Sequence, residues 1–393
     1  MAERQNELNF SPEQLQQHPE VALILSLFSG LILALLVGSF IAWIILIGRM
    51  RRRETVLGVE PWTPRVWGLL DLVLIAGLII VGQGISIKLW SASSGIGLGA
   101  LRDEGDFPLS AMAAISLSYI GVMLVTVLWL ALRYGASLVQ VGLVDRKFKS
   151  NFWVGLCAAL VSLPVVYAIM AIVSTTLSEE YDHPLLDQVG KEGSTTAFLL
   201  ATFCAVVAAP ITEEFIFRVM LQGWLQSIPW SGKNLRWLTG ASERERGTEL
   251  VDEHAIPLAH IVPDSDAGGE AYSDAVNPYA LTPMHLTPVE RSEPPIAQSH
   301  AQDSHFAAAT DAAPGMASIT PPLWPVFVSG TLFGLAHWGY GLSFIPLIVL
   351  GIVLGLLYRA KHSIWPSLVV HFILNLISML GLGASLLTKS ITP

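Results

Sequence analysis

Charge is scarce in this chain and cysteine nearly absent. Asp, Glu, Lys and Arg make up 13% of its 393 residues, against 52% hydrophobic ones. That balance excludes an ordinary soluble domain and predicts an all-α polytopic membrane protein, a helix bundle in lipid. Nothing in the charge pattern points to nucleic acid as a partner. The two cysteines, Cys157 and Cys204, both fall inside hydrophobic runs, where small-residue packing is the ordinary role and a structural disulfide is not expected. A His-Glu-x-x-His helix is missing, which excludes the usual soluble zincin arrangement, and no Ser or Cys nucleophile sits in a recognisable motif. The N-terminus lacks a basic region, and its first apolar run is too long for a signal peptide; an uncleaved anchor is expected.

About eight long apolar stretches are present. They cover Val21 to Gly48, Val66 to Trp90, Leu109 to Leu132, Asn151 to Leu177, Thr195 to Gln226, Leu323 to Leu342, Phe344 to Leu357 and Ser363 to Leu386. A polar lead precedes them, with a helix start at Ser11-Pro12-Glu13-Gln14. Basic clusters at Arg49 to Arg53, Arg146 to Lys149 and Arg359 to Lys361 fall on every second connection. By the excess of Lys and Arg in cytoplasmic loops, these connections are inside and the N-terminus is outside. Trp62, Trp67, Trp90, Trp324 and Trp365 lie near the ends of the spans, as in an aromatic belt. Asp71 reads as an interfacial or paired residue, and Pro164 as a kink.

The net charge of −9 is unevenly spread. Between Ala241 and Thr320 there are 13 acidic residues against Arg244, Arg246 and Arg291, and without that segment the chain is close to neutral. Residues 229–322 contain scattered prolines and no apolar run, so they cannot offset the entropy of ordering the chain; a disordered cytoplasmic insertion is predicted. Its five histidines lack metal-ligand spacing and read as solvated. The chain accordingly divides into 1–150, a polar lead and three spans; 151–228, the first half of a core; the insertion, 229–322; and 323–387, the second half of that core.

The stretch that breaks the apolar pattern most sharply is Ala209-Pro210-Ile211-Thr212-Glu213-Glu214-Phe215-Ile216-Phe217-Arg218. Each ionisable group at the bilayer centre costs about 2.5 to 3.5 kcal/mol on insertion scales, so three together demand a polar cavity, a partner or a role. Residues four apart share a helix face, which pairs Glu214 with Arg218 and leaves Glu213, about 100° away, as the carboxylate facing the cavity. Pro210 removes a backbone hydrogen bond nearby and tends to open the helix. Two later spans carry histidine: Phe333 and His337 four apart on one, His371 and Asn375 four apart on the other. A carboxylate and an imidazole converging on one water can deprotonate it, while an imidazole and an amide can stabilise a developing oxyanion. Glutamate and histidine side chains with an open position equally suit Zn²⁺ or another divalent ion.

In this order, on separate apolar helices, Glu213-Glu214-x-x-x-Arg218, Phe333-x-x-x-His337 and His371-x-x-x-Asn375 resemble the CPBP intramembrane metalloprotease family, also called the Abi or CAAX protease family. The likeness covers about 151–386 with the insertion left out. It implies a membrane-embedded endopeptidase acting on a membrane-associated or lipidated peptide or protein, in CAAX-type or bacteriocin-related processing, from the plasma (inner) membrane. On the matching positions, Glu213 and His337 would activate water, His371 and Asn375 would serve the oxyanion or a metal, and Glu214, Arg218 and Phe333 would support them. A bound metal, if used, would fall to Glu213, His337 and His371; a metal-independent glutamate mechanism has also been argued for the family. Two other readings of the residues are a proton-coupled transporter, against which no repeated halves are visible, and a non-catalytic scaffold or immunity protein that binds through the acidic insertion.

Overall fold

The computed structural model describes residues 16–97, 108–177, 184–231, 235–241, 320–339 and 341–391. The predicted helix start at Ser11 to Gln14 and most of the 229–322 insertion lie outside them. Among the described residues the protein is helical without strands. Its helices are α1 (Pro19–Arg51), α2 (Leu69–Ser94), α3 (Leu109–Tyr134), α4 (Phe148–Leu177), α5 (Pro184–Glu192), α6 (Thr195–Trp230), α7 (Trp324–Leu335), α8 (Phe344–Lys361) and α9 (Trp365–Ile391).

Seven of these, α1 to α4, α6, α8 and α9, are long and apolar enough to cross a membrane, and the chain is an integral membrane protein. The remaining expected crossing, at Leu323 to Leu342, is shorter than the sequence suggests. Helix α7 has 12 residues, a length of about 18 Å against a hydrocarbon core of about 30 Å. It stops because the chain turns through Ala336 to Gly339 and then through Gly341, whose φ of 65° suits a residue without a side chain.

Helices α7 and α8 therefore form a hairpin, and glycine sets its closeness. A methyl group at Gly351 would sit 2.6 Å from the Gly330 carbonyl oxygen, and one at Gly330 would sit 2.7 Å from the Ile352 nitrogen. Gly330 and Gly334 on α7 and Gly351 and Gly355 on α8 are each four apart, the spacing that lets apolar helices approach backbone to backbone.

The core gathers α4, α6, α7, α8 and α9. Ala159, Leu163 and Val166 of α4 meet Phe333 of α7, Leu350, Leu354 and Leu357 of α8, and Val370 and Leu374 of α9. Helix α1 stays at the edge: of its 33 residues only Val21 and Ser39 are buried, and most of its leucines and isoleucines face outward. Its Trp43 indole donates to the Val161 carbonyl on α4 at 3.1 Å, three residues before Pro164.

The connection from α1 to α2 is lashed to the ends of the core helices. The Arg65 backbone N–H donates to Ser227 Oγ at 2.7 Å, and its guanidinium donates to the Tyr358 hydroxyl at 3.0 Å and to the Gln140 carbonyl. Trp67 donates to the Met220 carbonyl at 3.1 Å. Asp71 is paired as expected: it accepts from the Gly68 N–H, the Trp129 indole and the Tyr134 hydroxyl at 2.9, 2.9 and 2.7 Å. The tryptophans depart from a simple belt, since Trp62, Trp67 and Trp90 are buried in the protein. For Trp67 and Trp90 the reason is visible: each indole N–H finds a protein acceptor, Trp90 using Ser110 Oγ at 3.0 Å.

The insertion also begins later than composition suggests. Arg236–Thr239 form a helical turn, Ala241 is buried, and its N–H donates to the Val66 carbonyl at 2.8 Å. Trp224 donates to the Trp237 carbonyl at 2.7 Å. On the returning side Arg359 holds the Pro321 carbonyl at 2.8 Å.

Candidate active site

Helix α6 departs from α-helical winding on both sides of the two glutamates. Phe203–Ala208 and Phe215–Gln222 are π-helical, and Ala209–Glu214 between them is α-helical. The upstream π turn explains how Pro210 is tolerated. In its register the Ala209 N–H reaches back five residues to the Cys204 carbonyl, so the next donor, for Ala205, would be the nitrogen of Pro210, which has no hydrogen. Asn375 of α9 fills the gap: its Nδ2 donates to the Ala205 carbonyl at 2.7 Å. The expected companion of His371 thus ties α9 to the helix that carries the glutamates.

Glu214 is fully buried, as is Arg218, whose Nε donates to Glu214 Oε2 at 3.3 Å. Glu214 Oε1 faces His371 Nδ1 at 3.2 Å. The other ring nitrogen of His371, Nε2, lies 3.7 Å from Oε2 of Glu213, whose side chain is 25% exposed. One imidazole therefore stands between two adjacent carboxylates, one locked to an arginine and one accessible. The pairing of Glu214 with Arg218 expected from helical spacing is the one the side chains make.

The aromatic residue of the second motif is the packing centre. Phe333 is completely buried, with the His371 ring edge-on to it at a centroid distance of 5.5 Å, the His337 ring at 5.3 Å and the Arg218 guanidinium carbon 5.2 Å from its centroid. Both histidines meet on this one ring. His337 does not extend helix α7 as the spacing suggests; it lies on the turn that follows, and its Nδ1 bonds the Phe333 carbonyl at 2.9 Å. Because a carbonyl only accepts, Nδ1 carries the proton and Nε2 is the acceptor in the neutral ring.

Ser329 belongs to the same constellation, and the motif reading passed it over. It is buried, accepts from Arg218 Nη1 at 3.0 Å and donates to the Phe217 carbonyl at 2.9 Å. The signal was present: Ser329, Phe333 and His337 are spaced by four. Among the described residues no group of three or more His, Cys, Asp or Glu is placed to hold a metal ion. Glu213, His337 and His371 are not gathered as a set of three ligands in this arrangement.

A buried, hydrogen-bonded carboxylate–imidazole pair beside a second, accessible carboxylate, inside a bundle of membrane-crossing helices, brings together groups that can move a proton on and off water. The two blocks that carry these residues, 195–242 and 312–377, match the family described as "Type II CAAX prenyl endopeptidase Rce1-like". The resemblance read from the three motifs is borne out over those residues. Glu213, Glu214 and Arg218 fall in the first block, Phe333, His337, His371 and Asn375 in the second, and the stretch left between them lies inside the acidic insertion. Neither the curated proteins nor the solved structures give a match.

Proposed function

We propose that this protein is an intramembrane endopeptidase that hydrolyses a peptide bond in a membrane-associated, prenylated substrate of the CAAX type. The observation that carries the proposal is the placement of His371 between Glu214 and Glu213. An ionised carboxylate only accepts hydrogen bonds, so His371 Nδ1 donates to Glu214 and the ring presents the lone pair of Nε2 toward Glu213. Two acceptors 3.7 Å apart are best bridged by a molecule with two O–H donors. Water held there gives one hydrogen to each and turns its own lone pairs outward, toward a substrate carbonyl.

Attack forms the new C–O bond as Glu213 takes the water proton. Glu213 then delivers that proton to the leaving nitrogen as the C–N bond breaks. General base catalysis of this kind contributes about 10²- to 10⁴-fold. Arg218 fixes Glu214, Glu214 fixes the ring of His371, and Ser329 fixes Arg218; these three are positioning residues. His337, whose ring also packs on Phe333, presents the lone pair of its Nε2 as a second proton acceptor for the water. Asn375 acts through the backbone it holds.

The test is cleavage of a quenched fluorescent peptide ending in an isoprenylated cysteine motif by protein reconstituted in liposomes. Glu213→Gln and His371→Ala should each abolish turnover while the protein remains inserted and monodisperse, and a chelator series runs in parallel. Full turnover by Glu213→Gln would remove the mechanism; loss with chelator, restored by Zn²⁺, would move water activation to a metal.

A further inference from the structure

Below the carboxylates, α6 carries a polar face that the contacts described so far use only in part. Arg218, Gln222 and Gln226, each four residues after the last, are all completely buried. Gln222 Nε2 donates to the Gly355 carbonyl at 2.8 Å, which fixes the orientation of its amide and leaves Oε1 as the unused end. Among the described residues, four polar atoms along this face find no protein partner: Arg218 Nη2, Gln222 Oε1, and both Nε2 and Oε1 of Gln226. In order they are a donor, an acceptor, and a donor with an acceptor. Buried groups left in that state are costly and rare, and in folded proteins they are commonly met by internal water.

The chemistry of the face selects the ligand. A cation would meet the Arg218 guanidinium and an anion would meet Glu214, so a neutral molecule that both donates and accepts is what remains. The spacing agrees: successive positions four apart rise by roughly 5 to 6 Å, and one water making two hydrogen bonds of ordinary length spans about the same distance.

We propose that this face binds a file of internal water molecules running from Arg218, behind the catalytic carboxylate, to Gln226 near the end of α6 that leads into the insertion. Hydrolysis consumes one water per turnover, and the file is a reservoir for it inside an apolar bundle. That role rests on the protease reading; the existence of the file does not.

Hydroxyl-radical footprinting by X-ray radiolysis separates the two, because radicals generated from bound water label the side chains beside it. Phe333 and Tyr358 are both completely buried, the first beside Arg218 and the second with its hydroxyl 3.4 Å from where a side chain at Gly223 would begin. In reconstituted wild-type protein and in Glu213→Gln, both should be oxidised at rates close to that of exposed Trp338. Gln222→Leu and Gln226→Leu should quench the labelling of Tyr358, and should lower kcat about tenfold or more at unchanged KM, the loss of a hydrogen-bonded position for the reacting water. Wild-type protein in which Phe333 and Tyr358 stay unlabelled overturns the file, and this needs no variant to fold. Labelling that Gln222→Leu leaves intact also overturns it. Labelling in a wild type that cleaves nothing supports the file and removes the protease reading alone.

Discussion

Two neighbouring glutamates should fail in different ways when each loses its charge. Glu214 and Arg218 form an ion pair at 3.3 Å with neither side chain exposed. Glu214→Gln keeps the shape but leaves the guanidinium charged and uncompensated, and breaking a buried pair from one side costs about 3 to 5 kcal/mol. Among the described residues Glu213 has no arginine bonded to it, and it is 25% exposed, so Glu213→Gln should cost less than about 1 kcal/mol. Activity does not follow stability. Glu213→Gln removes the base, a loss of about 10²- to 10⁴-fold; Glu214→Gln offers an amide that can donate to His371 Nδ1 as well as accept from it, so the tautomer that presents the Nε2 lone pair to the water is no longer held, and a comparable loss follows. Thermal unfolding in detergent, read from intrinsic fluorescence, gives the first quantity and peptide cleavage the second. A third variant closes the argument: Glu214→Gln with Arg218→Met removes both charges and should recover most of the lost stability without recovering turnover. Equal stability losses in the two single variants, or no recovery in the double, would refute the assignment of Glu214 as the structural carboxylate and Glu213 as the reactive one.

Gly351→Ala places a methyl 2.6 Å from the Gly330 carbonyl oxygen, against an ordinary contact of at least 3.4 Å. The α7–α8 hairpin must then spread, which costs about 1 to 3 kcal/mol in the unfolding midpoint assay and, by moving Phe333, up to about 10²-fold in cleavage. Ser329→Ala strips the acceptor from Arg218 Nη1 and should lower kcat with KM unchanged, while Ser329→Thr, which keeps the hydroxyl, restores it; a lowered kcat in both would show that the hydroxyl is not what matters. His362, at the junction of α8 and α9, has its pKa pushed down from 6.5 to about 4, first by burial and then by Arg65, and its Nε2 bonds the Glu60 carbonyl at 2.9 Å. The folded state keeps this ring neutral where the unfolded chain takes up a proton, so stability is complete above about pH 6.5 and is lost as pH falls toward 4, by about 2 kcal/mol at pH 5. His362→Asn, which tolerates the left-handed φ of 53° there, should flatten that part of the stability profile measured between pH 7.5 and 5; an unchanged slope would place the sensitivity elsewhere.

Much of the site was legible because membrane burial makes polarity conspicuous. Glu213, Glu214, Arg218, His371 and Asn375 stood out as exceptions in apolar runs, and helical periodicity alone assigned the arginine to Glu214. What periodicity could not show was the winding of α6. Two π segments rephase the helix around the glutamates, and only their hydrogen-bond register reveals that Asn375 answers the missing N–H of Pro210. His337 was placed on a helix because four-residue spacing does not distinguish a last helical turn from the turn beyond it. Ser329, Gln222 and Gln226 went unnoticed for another reason: serine and glutamine are common enough in membrane helices that no single one raises a question. The Gly330/Gly334 and Gly351/Gly355 pairs were readable as close-approach motifs, and would have predicted the hairpin that shortens α7.

The position of the insertion follows from the same packing. It separates the helix with both glutamates from the helices with both histidines, yet the site is assembled across it. The reason lies in how its two ends are held. The outgoing chain is fixed at Ala241 by the Val66 carbonyl, and the returning chain at Pro321 by Arg359. Neither clamp involves an acidic residue. Once the ends are pinned, lengthening the connection changes only the entropy of closing a loop, about 0.6 kcal/mol for each doubling. That cost is small beside one buried ion pair. The geometry at Glu213, Glu214 and His371 is therefore decoupled from the length and composition of the segment that joins the two halves. Such a core can keep one catalytic arrangement while the connection between its halves varies freely.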